Sequence, residues 1–169
     1  MCYINKTFTI ELNNSYKIVY NLLDDYYMFV GRRDSMITVY KHIEEELVSD
    51  CTVSDATKGS WVNLVNPDPD ELSLINILTE IPTDVLKTAL DMEERSHVEL
   101  EDNYIFVVIN IPAIRGNDMY DTVPLGIFLT PDFFITVCLE ESEVLYPFIS
   151  NQLSTFYTYK KTRFLFQIL

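Results

Sequence analysis

The residues with the clearest potential for chemistry are four acidic side chains in one short stretch, Asp84, Asp91, Glu93 and Glu94. Hard cations such as magnesium bind oxygen ligands, usually one or two carboxylates together with retained water molecules. Asp84 and Asp91 stand at positions i and i+7, a spacing that puts both side chains on one face of a helix. The stretch is a candidate site for weak magnesium binding, and a solvated helix face is the simpler interpretation.

Motifs for enzyme catalysis are absent from the sequence. A nucleophilic triad needs a Ser, Thr or Cys with an orienting His, and the only histidines, His42 and His97, lie in no recognisable motif. We interpret His97 as a solvated or capping residue, and Cys138 as a small core residue within an apolar strand. No glycine-rich phosphate-binding motif occurs. The sequence therefore argues against an enzyme.

The charge balance indicates which kinds of partner the chain can bind. The net charge of −14 arises from 26 acidic and 12 basic residues, which argues against nucleic acid and against docking on anionic lipid. An acidic surface attracts cations or basic partners, and it also gives solubility. Cys2, Cys51 and Cys138 are far apart, so we expect neither a zinc finger nor a disulfide framework, and a reducing cytoplasm is the expected setting.

Targeting and membrane segments are not apparent. Residues 1–30 lack a basic start followed by an apolar core, which is the pattern of a secretory signal. The longest apolar runs fall far short of the roughly 18 residues that a membrane-spanning helix needs. As it stands, we expect this chain to be soluble and unable to conduct an ion.

Capping signals predict where the helices begin. Asp68 as N-cap, Pro69 at the first helical position and Glu71 as the closing residue of a capping box predict a helix near 69–80. Thr83 is expected to cap a second helix. The helices are expected near 69–80, 84–92 and 143–152, and from residue 157 onward.

The apolar period changes from 3.6 to 2 at Val98, which predicts strands. Asp102 and Asn103 are the polar turn of a hairpin, and Pro131-Asp132 predicts a longer turn, because Pro cannot adopt φ > 0. Trp61 is expected to be the buried aromatic anchor of the sheet. Strands are expected at 36–41, 61–65, 98–101, 104–111, 123–129 and 133–139, with a short one at 46–48 and an exposed loop at 115–118. Helices before and after such a meander predict an α/β/α layered sandwich with a mixed sheet.

The order of these predicted helices and strands, and the sequence segments within them, resemble the cytoplasmic domain of the CorA family of magnesium transporters. The resemblance covers roughly residues 36–169. It is carried by Trp61-Val-Asn-Leu, Asp91-Met-Glu-Glu-Arg-Ser-His-Val-Glu, Asp102-Asn-Tyr-Ile-Phe-Val-Val-Ile, Pro124-Leu-Gly-Ile-Phe-Leu and Phe156-Tyr-Thr-Tyr-Lys-Lys-Thr-Arg-Phe-Leu. The last of these segments is similar to the opening of the family's long stalk helix.

The resemblance implies three regions. Residues 1–35 form an N-terminal extension of uncertain structure, with an extra element built on Phe8–Leu12 and Tyr16–Leu23 as the alternative. Residues 36–155 form the sandwich domain, and residues 156–169 begin a stalk helix that is cut short. The family's pore consists of two C-terminal membrane helices and a Gly-Met-Asn motif, none of which occurs here.

The resemblance also implies a function, namely that of the cytoplasmic regulatory domain of a homopentameric divalent-cation transporter. In this family an adjacent Glu-Asp pair helps to hold regulatory magnesium against the neighbouring subunit's stalk, and Lys87 and Thr88 stand at those positions here. Asp91 first and Asp84 second are the expected substitutes. The basic residues Lys160, Lys161 and Arg163 would face acids of the sandwich domain or of its neighbour.

Two alternative functions stay open at this point. The chain could be a free-standing acidic protein-interaction module without a metal role. It could also be the corresponding domain of a transporter for zinc or another divalent cation. Continuation of the reading frame past Leu169 into two apolar helices would separate the transporter interpretations from the interaction module.

Overall fold

The computed structural model describes residues 7–12, 16–21, 26–30, 36–115 and 119–169, with side chains for residues 36–49, 52–113 and 121–169. The chain divides into two compact units, Met1–Ser35 and Met36–Leu169. The assignment of residues 156–169 to a stalk helix stays a prediction.

The first unit contains a three-stranded antiparallel sheet. Its strands are β1 (Thr7–Leu12), β2 (Tyr16–Asn21) and β3 (Tyr26–Val30), in that order across the sheet. They overlap the two segments that the sequence suggested as an extra element.

The second unit is built on a seven-stranded mixed sheet with the order β5-β4-β6-β10-β9-β8-β7. Only β6 and β10 pair in parallel among the described strands, and all other neighbours are antiparallel. The strands are β4 (Ile37–Ile43), β5 (Glu46–Cys51), β6 (Trp61–Val65), β7 (His97–Leu100), β8 (Ile105–Arg115), β9 (Met119–Leu129) and β10 (Phe134–Cys138). Each predicted strand is confirmed, although β8 and β9 are longer than expected. The predicted loop at 115–118 lies mostly outside the described residues, and Arg115 ends β8.

The first helix of the unit, α1 (Pro69–Thr79), begins as predicted. The Asp68 carboxylate accepts a hydrogen bond from the Glu71 amide at 2.9 Å, and the Glu71 carboxylate accepts one from the Asp68 amide at 3.0 Å. This reciprocal pairing satisfies backbone donors that the first turn of a helix cannot satisfy internally. Glu71 also accepts a hydrogen bond from the Met36 amide at 2.8 Å, so the same side chain fixes the entry to β4.

The second helix, α2 (Thr83–Thr88), is shorter than expected and begins differently. Pro82 occupies the N-cap position and no side chain caps the helix, so the prediction that Thr83 is the cap is wrong. The reason is local geometry, because Pro82 already sets the extended backbone that precedes a helix. Thr83 is therefore the first helical residue.

The C-terminal helices are also shorter than the sequence predicted. They are α3 (Tyr146–Ile149) and α4 (Lys161–Ile168). The helix α3 ends at Ile149, and Asn151, which follows the C-cap Ser150, has a left-handed φ of 51°. The segment before α4 does not join it, because the Thr158 amide bonds to a side chain of β4 instead of continuing a helix.

The helices cover both faces of the large sheet, which confirms the α/β/α layered arrangement. One core contains α1 and α2 packed on the first face, and the second core contains α3, the chain after it and α4 packed on the other face. Trp61 is fully buried in the second core, as predicted. Its ring contacts Tyr40, Phe156 and Phe164 at centroid distances of 4.5, 6.1 and 5.0 Å.

Gly126 of β9 lets α2 approach the sheet very closely. A Cβ atom at this position would lie 2.3 Å from the Cβ of Ala89, which follows the last residue of α2. Non-bonded carbon atoms do not approach so closely, so the packing of α2 on the sheet depends on the absence of a side chain at Gly126.

We predict that Gly126→Ala lowers the free energy of unfolding by about 1–3 kcal/mol, because the new methyl group overpacks the core. Ala89→Gly removes the atom that the methyl group would strike, so the double variant should recover at least about 1 kcal/mol relative to the sum of the single changes. Chemical denaturation of the four proteins measures this coupling. Strictly additive effects would show that Ala89 and Gly126 do not limit the packing of α2.

Candidate functional site

The first predicted ligand, Asp84, lies in the first turn of α2 and is almost fully solvated. Its side chain is 95% exposed, and its Oδ1 lies 3.7 Å from the Nζ of Lys87. A pair of this kind between exposed side chains contributes little to stability. The pair nevertheless places the positive charge of Lys87 beside Asp84, which is the one of the four candidate acids that lies in α2.

The second predicted ligand, Asp91, lies beyond α2 in a tight turn. Its backbone amide donates to the carbonyl of Thr88 at 3.2 Å, and its Oδ1 accepts from the amide of Glu93 at 3.0 Å. The premise that Asp84 and Asp91 share one helix is therefore wrong, because α2 ends at Thr88. The Asp91 carboxylate shapes the turn into β7 and keeps its other oxygen for solvent or a ligand.

A histidine that sequence reasoning set aside, His97, follows this turn. Its Nδ1 lies 2.7 Å from the carbonyl oxygen of Arg95, and since a carbonyl only accepts, Nδ1 carries the proton. Glu94 Oε1 and Glu99 Oε1 lie 3.4 Å from Nδ1 and from Nε2. The ring packs edge-on against Phe106 and is 28% exposed, so His97 is not fully solvated, and its bond to the Arg95 carbonyl fits the capping role that the sequence suggested.

Within the described ranges, no group of three or more His, Cys, Asp or Glu side chains is arranged to hold a metal ion. The acids of the candidate stretch are distributed over α2, the turn and the start of β7. The assignment of magnesium to Asp91 and Asp84 stays a prediction.

The basic residues near α4 make contacts within their own domain. The Lys161 ammonium donates hydrogen bonds to the backbone carbonyls of Thr130 and Pro131, at the turn between β9 and β10. Burial lowers the pKa of Lys161, and the nearby carboxylate of Asp132 opposes that shift. Lys160 lies over the ring of Tyr157 at 4.4 Å from its centroid. These contacts anchor the start of α4 on the sandwich.

A second anchor joins β4 to the segment before α4. The Nδ1 of His42 accepts a hydrogen bond from the Thr158 amide at 3.1 Å, and the Thr158 hydroxyl accepts one from the His42 amide at 3.1 Å. The imidazole also contacts the rings of Phe156 and Tyr157, both at 5.2 Å between centroids. Burial lowers the pKa of His42, which favours the neutral ring that this acceptor role requires.

A family model, described as CorA-like Mg²⁺ transporter protein, matches residues 57–169, well over half of the chain. The matched region runs from the loop before β6 through α4, so it contains the candidate acids, both parallel strands and the Lys161 contacts of α4, whereas His42 lies outside it. The chain belongs to the CorA-like family.

Solved structures share this fold. The soluble domain of CorA from Methanocaldococcus jannaschii matches with a TM-score of 0.60 at 20% identity, over 78% of this chain and 53% of that one. The complete CorA magnesium transporter from the same organism matches with a TM-score of 0.56 at 20% identity, over 70% and 38%. The cytoplasmic domain of ZntB from Vibrio parahaemolyticus matches with a TM-score of 0.61 at 13% identity, over 80% and 57%.

These likenesses concern the fold, and the CorA-like chain spans about 38% of the complete transporter and 53% of the soluble domain. No curated protein matches the sequence. In the described part of the chain, no helix combines the length and apolar character needed to cross a membrane.

The His42 anchor gives this CorA-like chain a predictable pH response. The unfolded chain binds a proton at His42 near the ordinary histidine value of about 6.5, whereas the folded chain binds it only at lower pH. The contribution of His42 is therefore fully present above about pH 6.5 and is lost as the pH falls through the folded-state pKa.

We predict that His42→Asn gives a shallower loss of stability between about pH 7.5 and 5.5, because an amide oxygen accepts from the Thr158 N–H without titrating. Urea unfolding across this range measures the slope. His97→Asn is the matched control, since it removes the only other histidine of the sequence. If the stability of the wild type and of His42→Asn changed with pH in parallel, the assignment of this pH response to His42 would be wrong.

Proposed function

We propose that this chain is the cytoplasmic regulatory domain of a CorA-like transporter of magnesium or another divalent cation. The family match over residues 57–169 carries the proposal. The likeness of its fold to the CorA soluble domain and to the ZntB cytoplasmic domain supports it. In this function the domain does not transport; it responds to the cation concentration and biases a pore toward closure.

The proposed mechanism is differential binding between two arrangements of subunits. In a homopentamer, acidic surfaces of neighbouring domains repel one another, and the net charge of −14 makes that repulsion large. A cation held between subunits offsets the repulsion and favours the closed arrangement. When the cation dissociates, the domains separate and the pore opens, because a ligand shifts an equilibrium only by its difference in affinity for the two states.

The proposed cation ligands are Asp91 first and Asp84 second, with the remaining ligands supplied by a neighbouring subunit. Asp91 has one carboxylate oxygen bound to the Glu93 amide, which orients the group without neutralising it. Asp84 is solvated but lies beside the Lys87 ammonium, which competes with a cation. Magnesium keeps most of its water and gains little from one carboxylate, so this site is weak in a single subunit.

We predict that the isolated chain binds magnesium only at millimolar concentrations or weaker, with the amide shifts centred on Asp91 and Asp84. Asp84→Asn together with Asp91→Asn should abolish those shifts, and asparagine keeps an oxygen for the Glu93 amide. Replacing Lys87 by Glu and Thr88 by Asp removes the competing cation and adds two carboxylates, so magnesium binding should strengthen. Titration followed by amide shifts and calorimetry provides the measurement.

The matched control for this experiment is the pair Asp70→Asn and Asp102→Asn, which removes the same charge at two other exposed acids. That variant should keep the magnesium response of the wild type. Micromolar binding that survives the loss of Asp84 and Asp91 would place the cation sensor on another surface. Parallel titrations with zinc and cobalt determine which divalent cation the domain prefers.

A further inference from the structure

The imidazole of His97 is held in one orientation at the edge of the large sheet. His97 is the first residue of β7, which pairs only with β8 among the described strands. Its ring packs edge-on against Phe106 at 5.4 Å between centroids, with an angle of 88° between the ring planes. Phe106 is itself buried and stacks on the buried ring of Phe128 at 4.3 Å. The core of the sheet therefore positions the imidazole.

The contacts of Nδ1 determine which ring nitrogen of His97 carries the proton. Nδ1 donates its hydrogen to the carbonyl oxygen of Arg95 at 2.7 Å, and Glu94 Oε1 lies 3.4 Å from the same nitrogen. A neutral imidazole has one donor and one acceptor, so Nε2 presents a lone pair. Metal-binding histidines have this arrangement, in which the other ring nitrogen donates to a carbonyl or carboxylate and fixes the tautomer.

The lone pair of Nε2 is buried and has no hydrogen-bond partner among the described residues. Glu99 Oε1 lies 3.4 Å from it, and both atoms are acceptors when the ring is neutral. A cation between the two atoms would satisfy both of them. A proton on Nε2 would form a charge-assisted hydrogen bond of about 2.7–2.9 Å, which is shorter than the observed separation.

The separation of 3.4 Å between Nε2 and Glu99 Oε1 matches the ligand spacing around zinc. Zinc lies about 2.0–2.2 Å from histidine nitrogen and carboxylate oxygen, so two ligands of a tetrahedral zinc ion are about 3.4 Å apart. Adjacent ligands of an octahedral magnesium ion, each about 2.0–2.1 Å from the metal, are only about 2.9 Å apart. Imidazole is also a ligand for zinc, copper and nickel, whereas magnesium prefers oxygen.

The strand brings the two ligand side chains to the same face of the sheet. His97 and Glu99 stand at positions i and i+2 of β7, and successive side chains of a strand alternate between its faces. The Glu99 side chain is 52% exposed, so a metal ion has access to the pair from solvent. In the described part of the chain, no third side chain joins them in a metal-binding group. Water or a second molecule must supply the remaining ligands.

We propose that His97 Nε2 and Glu99 Oε1 bind a zinc ion or a similar transition-metal ion, with Glu94 and the Arg95 carbonyl orienting the imidazole. Two positions of a tetrahedral ion stay open for water or for a ligand from another molecule. The site goes beyond the proposed function, because it differs from the proposed magnesium site in its residues and in the metal that it selects.

Zinc titration of the isotopically labelled chain tests the proposal through the ring nitrogen resonances of the histidines. The titration is run at about pH 7.5, above the ordinary histidine value of about 6.5, because protons compete with metals for imidazole. Zinc should shift the Nε2 resonance of His97. It should leave His42 unchanged, because the Thr158 amide occupies the Nδ1 lone pair of that ring and its Nε2 carries the proton. Magnesium chloride in about hundredfold excess should neither produce the His97 shift nor displace zinc.

Two substitutions assign the ligands. His97→Asn keeps a nitrogen that can donate to the Arg95 carbonyl but has no atom at the position of Nε2. Glu99→Gln removes the negative charge of the second ligand. Each should weaken zinc binding by about tenfold or more, since even outer-shell partners of a metal contribute that much. Glu45→Gln makes the same change in charge at another exposed residue and should bind zinc like the wild type.

The proposal is overturned if zinc up to millimolar concentration leaves the His97 resonances unchanged, or if Glu99→Gln and Glu45→Gln bind zinc equally well. It is also overturned if Asp84→Asn together with Asp91→Asn removes the zinc response, because the ion would then occupy the proposed magnesium site. Should His97→Asn fail to fold, the comparison of Glu99→Gln with Glu45→Gln still decides the matter, because both positions are exposed.

Discussion

The hydrogen bond from the Trp61 indole to Thr136 is the contact on which much of the large unit depends. It joins β6 to β10, the parallel pair at the centre of the sheet, and both residues are fully buried. An indole N–H buried without an acceptor would be costly, so Thr136 fixes where Trp61 can lie. Phe156 and Phe164 then pack on the Trp61 ring, and the C-terminal segment is held on this face.

The same contact orients a second buried polar side chain, that of Asn63. Because Thr136 accepts from Trp61, it donates its own hydrogen to the side-chain oxygen of Asn63. One buried donor therefore specifies both the packing of the aromatic core and the orientation of the Asn63 amide. An apolar residue in place of Thr136 would leave two polar side chains, those of Trp61 and Asn63, without this partner.

Sequence reasoning succeeded where a signal is local and failed where a distant contact decides the outcome. The capping residues Asp68 and Glu71 act within one turn, so the start of α1 was predictable. The close approach of Ala89 to Gly126 and the bond from the Thr158 amide to His42 were not predictable, because each joins residues far apart in the chain. The hydrogen bonds from Trp61 to Thr136 and from Thr136 to Asn63 were missed for the same reason, since Thr136 lies on β10 and the other two residues lie on β6.

The helices contact the two faces of the sheet in different ways, and this bears on the proposed regulation. On one face, Ala89 contacts the backbone of Gly126 directly, because no side chain lies between them. The end of α2 is therefore packed tightly against β9 at that point. A cation that displaces α2 would therefore move the sheet with it, because packed interiors deform little. On the other face, α4 rests on aromatic rings and on the Lys161 bonds to the β9–β10 turn. A force applied at α2 would reach α4 through the strands β9 and β10, which lie side by side in the sheet.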